Sequence, residues 1–458
     1  MRKVKSNILP PKYMIKGDCK MENVILNNKQ YKEGEVIKGN LKEVSVIDAP
    51  CGFGKTTWAI RYINGVKRPI IFVTPFLKEV DRVLAECESM NSPERLNGKT
   101  TKLDSFKSLL QEGKNVATTH QLFKHLDEEC YNLISEGGYE LILDEVVTSV
   151  QDFPIKDKDI TMLLDQKKMK ASDKTGELIW LDKEYDGRFI DLQDSINCGD
   201  CYLVNVSDKK MAIYSELSIC KFIYFTKVTI LTYLFVGSEM DCFFKINNIP
   251  YFLYGMKKTD NGRRGTLVPY DKHLENREAL RELINVYEGK ANDNFKDSKT
   301  ALSANWYKNS KNKDQVNQMK KNCDSYMRGN KAHKEDILWS CYKEDVNNLK
   351  GSKCTVSKNK DNIEDGSQKY GFLAFNSRAT NDYANTNCLA YPINIFCNPN
   401  IVQYFNYYGA ELDQDLYAVS TLIQWICRSA VRDGKPISLY LPSKRMRDLL
   451  DKFFNYEI

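Results

Sequence analysis

No apolar run in this 458-residue chain is long enough to cross a bilayer. The most apolar stretch, TILTYLFV at Thr229 to Val236, falls far short of the ~20 residues a spanning helix needs and stops at Gly237. The opening MRKVKSNILPPKYMIK is basic but lacks the apolar core of a secretion signal. The fourteen cysteines have no framework spacing, which excludes a disulfide scaffold and points to reduced, intracellular thiols. Only four histidines are present, widely dispersed, and the pair Cys198-Gly-Asp-Cys201 has no second pair of ligands, so a structural zinc is excluded. Nothing around that pair suggests the helix of a thioredoxin-like redox site, and it reads as two incidental surface thiols. These absences lead to the expectation of a soluble, cytoplasmic protein with no membrane partner.

What is present is ordinary globular material, 42% hydrophobic and 28% charged, in a length that suggests two or three domains. The net charge of +6 is a mild tilt that fits a polyanionic partner without requiring one.

The informative stretch is VSVIDAPCGFGKTTWAI, Val44 to Ile60. Glu43 to Asp48 is rich in Val and Ile with strand-like alternation, and Thr56 to Ile63 has helical spacing of apolar residues. Between them lies Pro50-Cys51-Gly52-Phe53-Gly54-Lys55-Thr56-Thr57, one glycine short of the phosphate-loop pattern because Ala49 holds the first position. Gly52 and Gly54 let backbone N–H groups turn inward around a phosphate, and the helix N-terminus adds partial positive charge. Lys55 then bridges the β- and γ-phosphates of ATP, and the Thr56 hydroxyl ligates Mg²⁺.

Further along, YELILDEV (Tyr139 to Val146) is an apolar strand ending in Asp144-Glu145. Paired acids at a strand end are costly to bury without a cation, which suits Asp144 to Mg²⁺ and Glu145 to orienting the attacking water. Two other strands end in short hydroxyls: RPIIFVTP, closing on Thr74 and Pro75, and NVATTHQLF, carrying Thr118, Thr119 and His120. Such ends suit phosphate contacts that position a nucleic-acid strand without reading its sequence.

An A-P-x-G-x-G-K-T loop followed by D-E resembles motifs I and II of the second superfamily of helicases, the DEAD/DEAH-like group, and most resembles members encoded by bacteriophages and prophages. The strands at Thr74 and Thr118 are similar to motifs Ia and Ib. Thr232-Tyr233-Leu234 takes the place of motif III and keeps only its first hydroxyl. Thr300 to Tyr307 stands at motif IV as a strand end, where Trp306 either stacks on a base or is buried. FLAFNSRATNDY, Phe372 to Tyr383, stands at motif V as a strand ending in a polar cluster, with Arg378, Thr380 or Asn381 contacting phosphate or ribose. TLIQWICRSAVR, Thr421 to Arg432, is similar to motif VI. Gln424, Arg428 and Arg432 lie four apart and would share one helical face. The resemblance implies that Arg428 or Arg432 stabilises charge on the γ-phosphate.

The implied architecture is α/β: two tandem RecA-like domains of the P-loop NTPase type, residues 1–245 and 246–458, with parallel sheets flanked by helices. ATP and Mg²⁺ would be the cofactors, bound between the domains. Roughly 80 residues between motifs II and III are long for a crossover and read as an insertion over about 153–225, with a hairpin at Asp186-Gly187. The implied activity is ATP-driven movement along nucleic acid, with DNA, single-stranded or duplex, favoured over RNA. A translocase that does not unwind, or an ATP-switched binding module, fits the same motifs.

Overall fold

The computed structural model describes residues 40–95, 101–153, 155–173, 176–197, 201–207, 210–217, 220–258, 265–295, 298–356, 369–377 and 382–458. The chain divides into two compact units: the first takes residues up to Ala49, Phe53–Phe235 and Met240–Asp271, and the second takes Pro50–Gly52, Val236–Glu239 and Lys272–Ile458.

In the first unit, β1 (Glu43–Asp48), β2 (Ile70–Thr74), β3 (Met90–Asn91), β4 (Asn115–Thr119) and β5 (Glu140–Asp144) are the strands legible as apolar runs. Every residue of IIFVT and ELILD is buried, as expected of parallel strands covered by helices on both faces. The one charge at the entrance of β5, Glu140, is 3% exposed and accepts from the Tyr62 hydroxyl at 2.7 Å and from Arg68 at 3.3 Å. A separate antiparallel layer follows, with β6 (Val150–Asp152), β7 (Met169–Ala171), β8 (Leu178–Trp180), β9 (Cys201–Ser207) and β10 (Lys210–Glu216) paired as β6-β10-β9 and β7-β8. The chain then returns through β11 (Lys227–Thr232), β12 (Phe252–Lys258) and β13 (Gly265–Pro269). The eight-stranded order is β13-β12-β1-β11-β5-β2-β4-β3, parallel except for β12 against β13. β1 is thus flanked by β11 and β12, and β11 separates it from β5.

Three expectations change here. The division at 245/246 falls before β12, which pairs with β1, so the first sheet extends to Pro269. Asp186-Gly187 is not a hairpin tip; it lies in irregular chain leading into the helix Ile190–Asn197, and hairpin pairing occurs at β7-β8 and β9-β10. Cys201 is not a surface thiol but 0% exposed in the insertion's own core, while Cys198 lies outside the described residues.

The second unit carries β14 (Ile284–Val286), β15 (Ile337–Trp339), β16 (Gly371–Phe372), β17 (Cys388–Ala390) and β18 (Ile437–Tyr440), all parallel in the order β14-β18-β17-β15-β16. Trp339 and Trp425 are buried, and each indole N–H reaches a carbonyl, Thr355 at 2.8 Å and Leu373 at 3.2 Å. Both units are therefore α/β, with parallel-dominated sheets flanked by helices, as two tandem RecA-like domains require.

Asp324, on the helix Lys313–Gly329, locks that helix to a following loop. Its carboxylate accepts from the backbone N–H groups of Ser352 (2.7 Å), Lys353 (3.0 Å) and Cys354 (3.2 Å), and from the Ser352 hydroxyl. Burial would raise its pKa, but the N–H groups of Lys353, Cys354 and Ser352 outweigh burial and hold it below the usual carboxylate range. Asp324→Ala leaves those donors unpaired and is expected to destabilise the protein by about 3 kcal/mol in urea unfolding at neutral pH. Because the folded pKa is lowered, the stabilisation is complete above the unfolded value of about 4 and is lost as pH falls through the folded value. The gap between wild type and variant should therefore close in acid.

Candidate nucleotide site

β1 delivers the chain to Ala49 and the loop beyond. Gly52 and Gly54 adopt φ of +79° and +86°, left-handed conformations that glycine takes without a Cβ penalty. Gly54 caps the helix Lys55–Gly65, which has no side-chain cap and no acid in its first turn. Its leading N–H groups are thereby left to an anion. The Lys55 ammonium folds back to donate to the Ala49 carbonyl, and the Thr56 hydroxyl lies 3.4 Å from Asp144 Oδ2. Thr57 follows on the same helix, and the Lys258 ammonium sits 4.6 Å from the Phe53 ring centroid. Pro50 and Cys51 complete the loop.

Asp144 ends β5 at 7% exposure. Burial, then the charges of Glu145 and Glu79, push its carboxyl up to about 7 against the pull of Lys55 and Thr56. A cation beside this carboxyl would favour its charged form and bring the value back down. Among the described residues no cluster of three or more His, Cys, Asp or Glu forms a metal cage. One hydroxyl and one carboxylate match a metal that keeps water and substrate phosphates as its other ligands, which is the habit of Mg²⁺. Glu145 has φ +72°, a conformation that costs a non-glycine residue on the order of 1–3 kcal/mol and marks functional turns, and its N–H donates to Leu231 at 2.9 Å.

The hydroxyl-ended strands arrive at the same carboxyl edge. β2 and β4 pair Val73 with Thr118 and Thr74 with Thr119, and Pro75 and His120 follow directly. The Thr74 hydroxyl is buried without a hydrogen-bond partner among the described residues.

Two acids were missed in the sequence. Asp48, 4% exposed at the end of β1, accepts from Leu234 N–H at 2.7 Å and Phe235 N–H at 2.8 Å. It therefore ties the phosphate-loop strand to the Thr232-Tyr233-Leu234 turn, where Leu234 has φ +58°. Glu79 contributes a third negative charge near Asp144. The strand-end position of Asp48 matches that of Asp144 and was the available signal.

In the second unit the structure corrects the shared helical face. The helix Gln414–Ile426 carries Gln424 but is capped by Cys427, so Arg428 lies beyond it and Arg432 on the 3₁₀ turn Ala430–Asp433. The reason is a long-range bond: Ala430 N–H donates to Thr386 while Ser429 closes back on Ile426. Arg428 is 4% exposed, and its Nε and Nη2 find no hydrogen-bond partner among the described residues. Gln424 is half-buried, as is Arg432, which has partners of its own.

Thr300 to Tyr307 is not a strand end. Ser303 caps the helix Ala304–Lys308 by accepting from Trp306 N–H, and Trp306 is half-buried, edge-on to Tyr307 at 5.0 Å. The strand placed at Phe372 is only the two residues of β16. Arg378, Thr380 and Asn381 lie outside the described residues.

Comparison with known proteins follows this geometry. No helix among the described residues is long and apolar enough to cross a membrane, and all the cysteines recorded among them are unbridged. Among solved structures the chain is similar to an XPD helicase (TM-score 0.48, 12% identity, 90% of this chain and 95% of that one). It is also similar to S. tokodaii Xpd4 (TM-score 0.46, 11% identity, 91% and 94%). Residues 278–454 match the family described as the YonV C-terminal Rossmann-like domain. The SPbeta prophage-derived uncharacterized protein YonV of Bacillus subtilis (strain 168) is 33% identical over 427 residues, 90% of this chain and 98% of the relative. With that identity across nearly the whole of both sequences, the chain belongs to the YonV family.

Proposed function

We propose that the chain is a nucleic-acid-dependent ATPase of the helicase or translocase kind, acting on DNA in preference to RNA in the cytoplasm, in phage or bacterial DNA replication, recombination or repair. The observation that carries this reading is the assembly at one sheet edge of a left-handed glycine loop, Lys55, and Thr56 within 3.4 Å of a buried Asp144 carboxylate. In this reading the loop amides and Lys55 hold the β- and γ-phosphates of ATP. Thr56 and Asp144 would hold Mg²⁺, which neutralises charge on those phosphates. Glu145 orients the attacking water, and the resemblance to motif VI assigns Gln424 and either Arg428 or Arg432 to the γ-phosphate. Pro75, Thr119 and His120 would meet backbone phosphates, a contact that is salt-sensitive and indifferent to sequence, whereas Thr74 and Thr118 are buried and would act only by supporting that edge.

The test is steady-state ATP hydrolysis alone and with single-stranded DNA, duplex DNA or RNA. Stimulation of about tenfold or more by one polymer identifies the track. Hydrolysis unmoved by all three removes the motor and leaves an ATP switch.

A further inference from the structure

A cavity of about 740 Å³ opens within the second unit at the carboxyl ends of its parallel strands. Tyr342 follows β15, Phe375 follows β16, and Ile395 to Asn398 follow β17, while the helix Ala304–Lys308 forms another wall. Ligands of open α/β sheets bind at this end of the strands, and the volume lies in the usual range for ligand sites.

The lining decides the class of ligand. None of the lining residues carries a formal charge, although 28% of the chain does. A phosphate or carboxylate would find no cation to pair with inside it. Instead the walls present five aromatic rings, Trp306, Tyr342, Phe375, Phe396 and Tyr417. The first is braced edge-on by Tyr307, and Asn312 donates to its carbonyl at 2.9 Å. The second and third meet edge-to-face at 5.5 Å. Phe396 is 39% exposed, with the Arg445 guanidinium 4.4 Å from its ring centroid. Between the rings, the amides of Asn305, Gln403 and Gln414 make no hydrogen bond among the described residues, so their donors and acceptors are open to a ligand.

An uncharged, planar ring with donors and acceptors on its edge satisfies both halves of this lining. We propose that the cavity receives an unpaired base of a single-stranded nucleic acid, stacked against Trp306 or Phe396 and contacted on its edge by the three amides. The inference rests on the proposed nucleic-acid function for its ligand class. It adds a place where bases, rather than phosphates, are held. Stacking of this kind tolerates any base, because each has a π-face.

The experiment uses the full-length chain without ATP and measures fluorescence anisotropy of a labelled oligothymidylate, beside an abasic strand of equal length and free thymidine as competitor. The oligothymidylate is expected to bind roughly tenfold or more tighter than the abasic strand. Phe396→Ala and Gln403→Ala, both at exposed positions, are expected to erase most of that difference while leaving abasic binding and its salt slope unchanged. Thermal melting confirms that the variants fold. Equal binding of both strands by wild type, or full retention of the difference in both variants, overturns the base pocket while the ATPase reading stands. Displacement of neither strand but tight binding of thymidine alone overturns the strand as the source of the base. No binding of either strand overturns the base pocket, while the ATPase reading stands or falls by the hydrolysis test with duplex DNA and RNA.

Discussion

Lys55→Ala is expected to lower nucleic-acid-stimulated ATP hydrolysis by a factor on the order of 10²–10³, with little change in melting temperature. The size follows from removing a preorganised cationic donor aimed at charge that develops in the transition state. The indifference of stability follows from the structure. In the protein as it stands the Lys55 ammonium donates to the Ala49 carbonyl, a neutral acceptor, at a half-buried position. A net contribution near 1 kcal/mol or less is all such a bond gives. Steady-state rates and a thermal melt on the same sample decide it. A large fall in melting temperature would make Lys55 structural, and unaltered hydrolysis would place the nucleotide elsewhere.

Arg428→Met should separate activity from stability in the opposite directions. Burying a guanidinium with Nε and Nη2 unpaired is unfavourable, and an apolar side chain of similar reach removes that penalty. The variant is therefore expected to unfold at higher urea, by about 1 kcal/mol or more. If Arg428 meets the γ-phosphate, the same change lowers the hydrolysis rate by a factor on the order of 10³ or more. A residue retained for packing would show the reverse: destabilisation with the rate intact. Arg432→Met serves as the comparison, since Arg432 already has partners within the protein and lies half-exposed on the 3₁₀ turn. The contrast resolves a choice that the spacing of the two arginines left open.

What was legible in the sequence was what chemistry confines to a short stretch. The glycine loop needs its strand before it and its helix after it, so Val44 to Ile63 displayed all three, and Asp144-Glu145 closed an unmistakable apolar strand. The features that were misread depend on partners far away in the chain. The helix after Gln414 stops at Ile426 because Ala430 bonds to Thr386, and no local residue announces that bond. Asp48 has meaning only once β11 lies beside β1 and brings the Leu234 and Phe235 N–H groups to it. β12 reads as an independent strand of a second domain until its pairing with β1 is seen. The capping of the helix at Ala304 is the exception, since Ser303 three residues before Trp306 is a local signal that was passed over in favour of the aromatic pair.

The flanking of β1 by β11 and β12 also bears on how the protein is made. Both neighbours of the phosphate-loop strand come from Lys227 onward, after the whole antiparallel layer has been synthesised. At about 5–20 residues per second on the ribosome, the glycine loop emerges on the order of ten seconds or more before the strands that hold it. Once β5 has emerged, β2, β4 and β5 can pair among themselves, whereas β1 has an unpaired edge on each side until β11 and β12 arrive. The nucleotide loop is thus among the last parts of its own unit to be secured, and a nascent chain that halts before residue 227 carries both ATP motifs without a platform to present them.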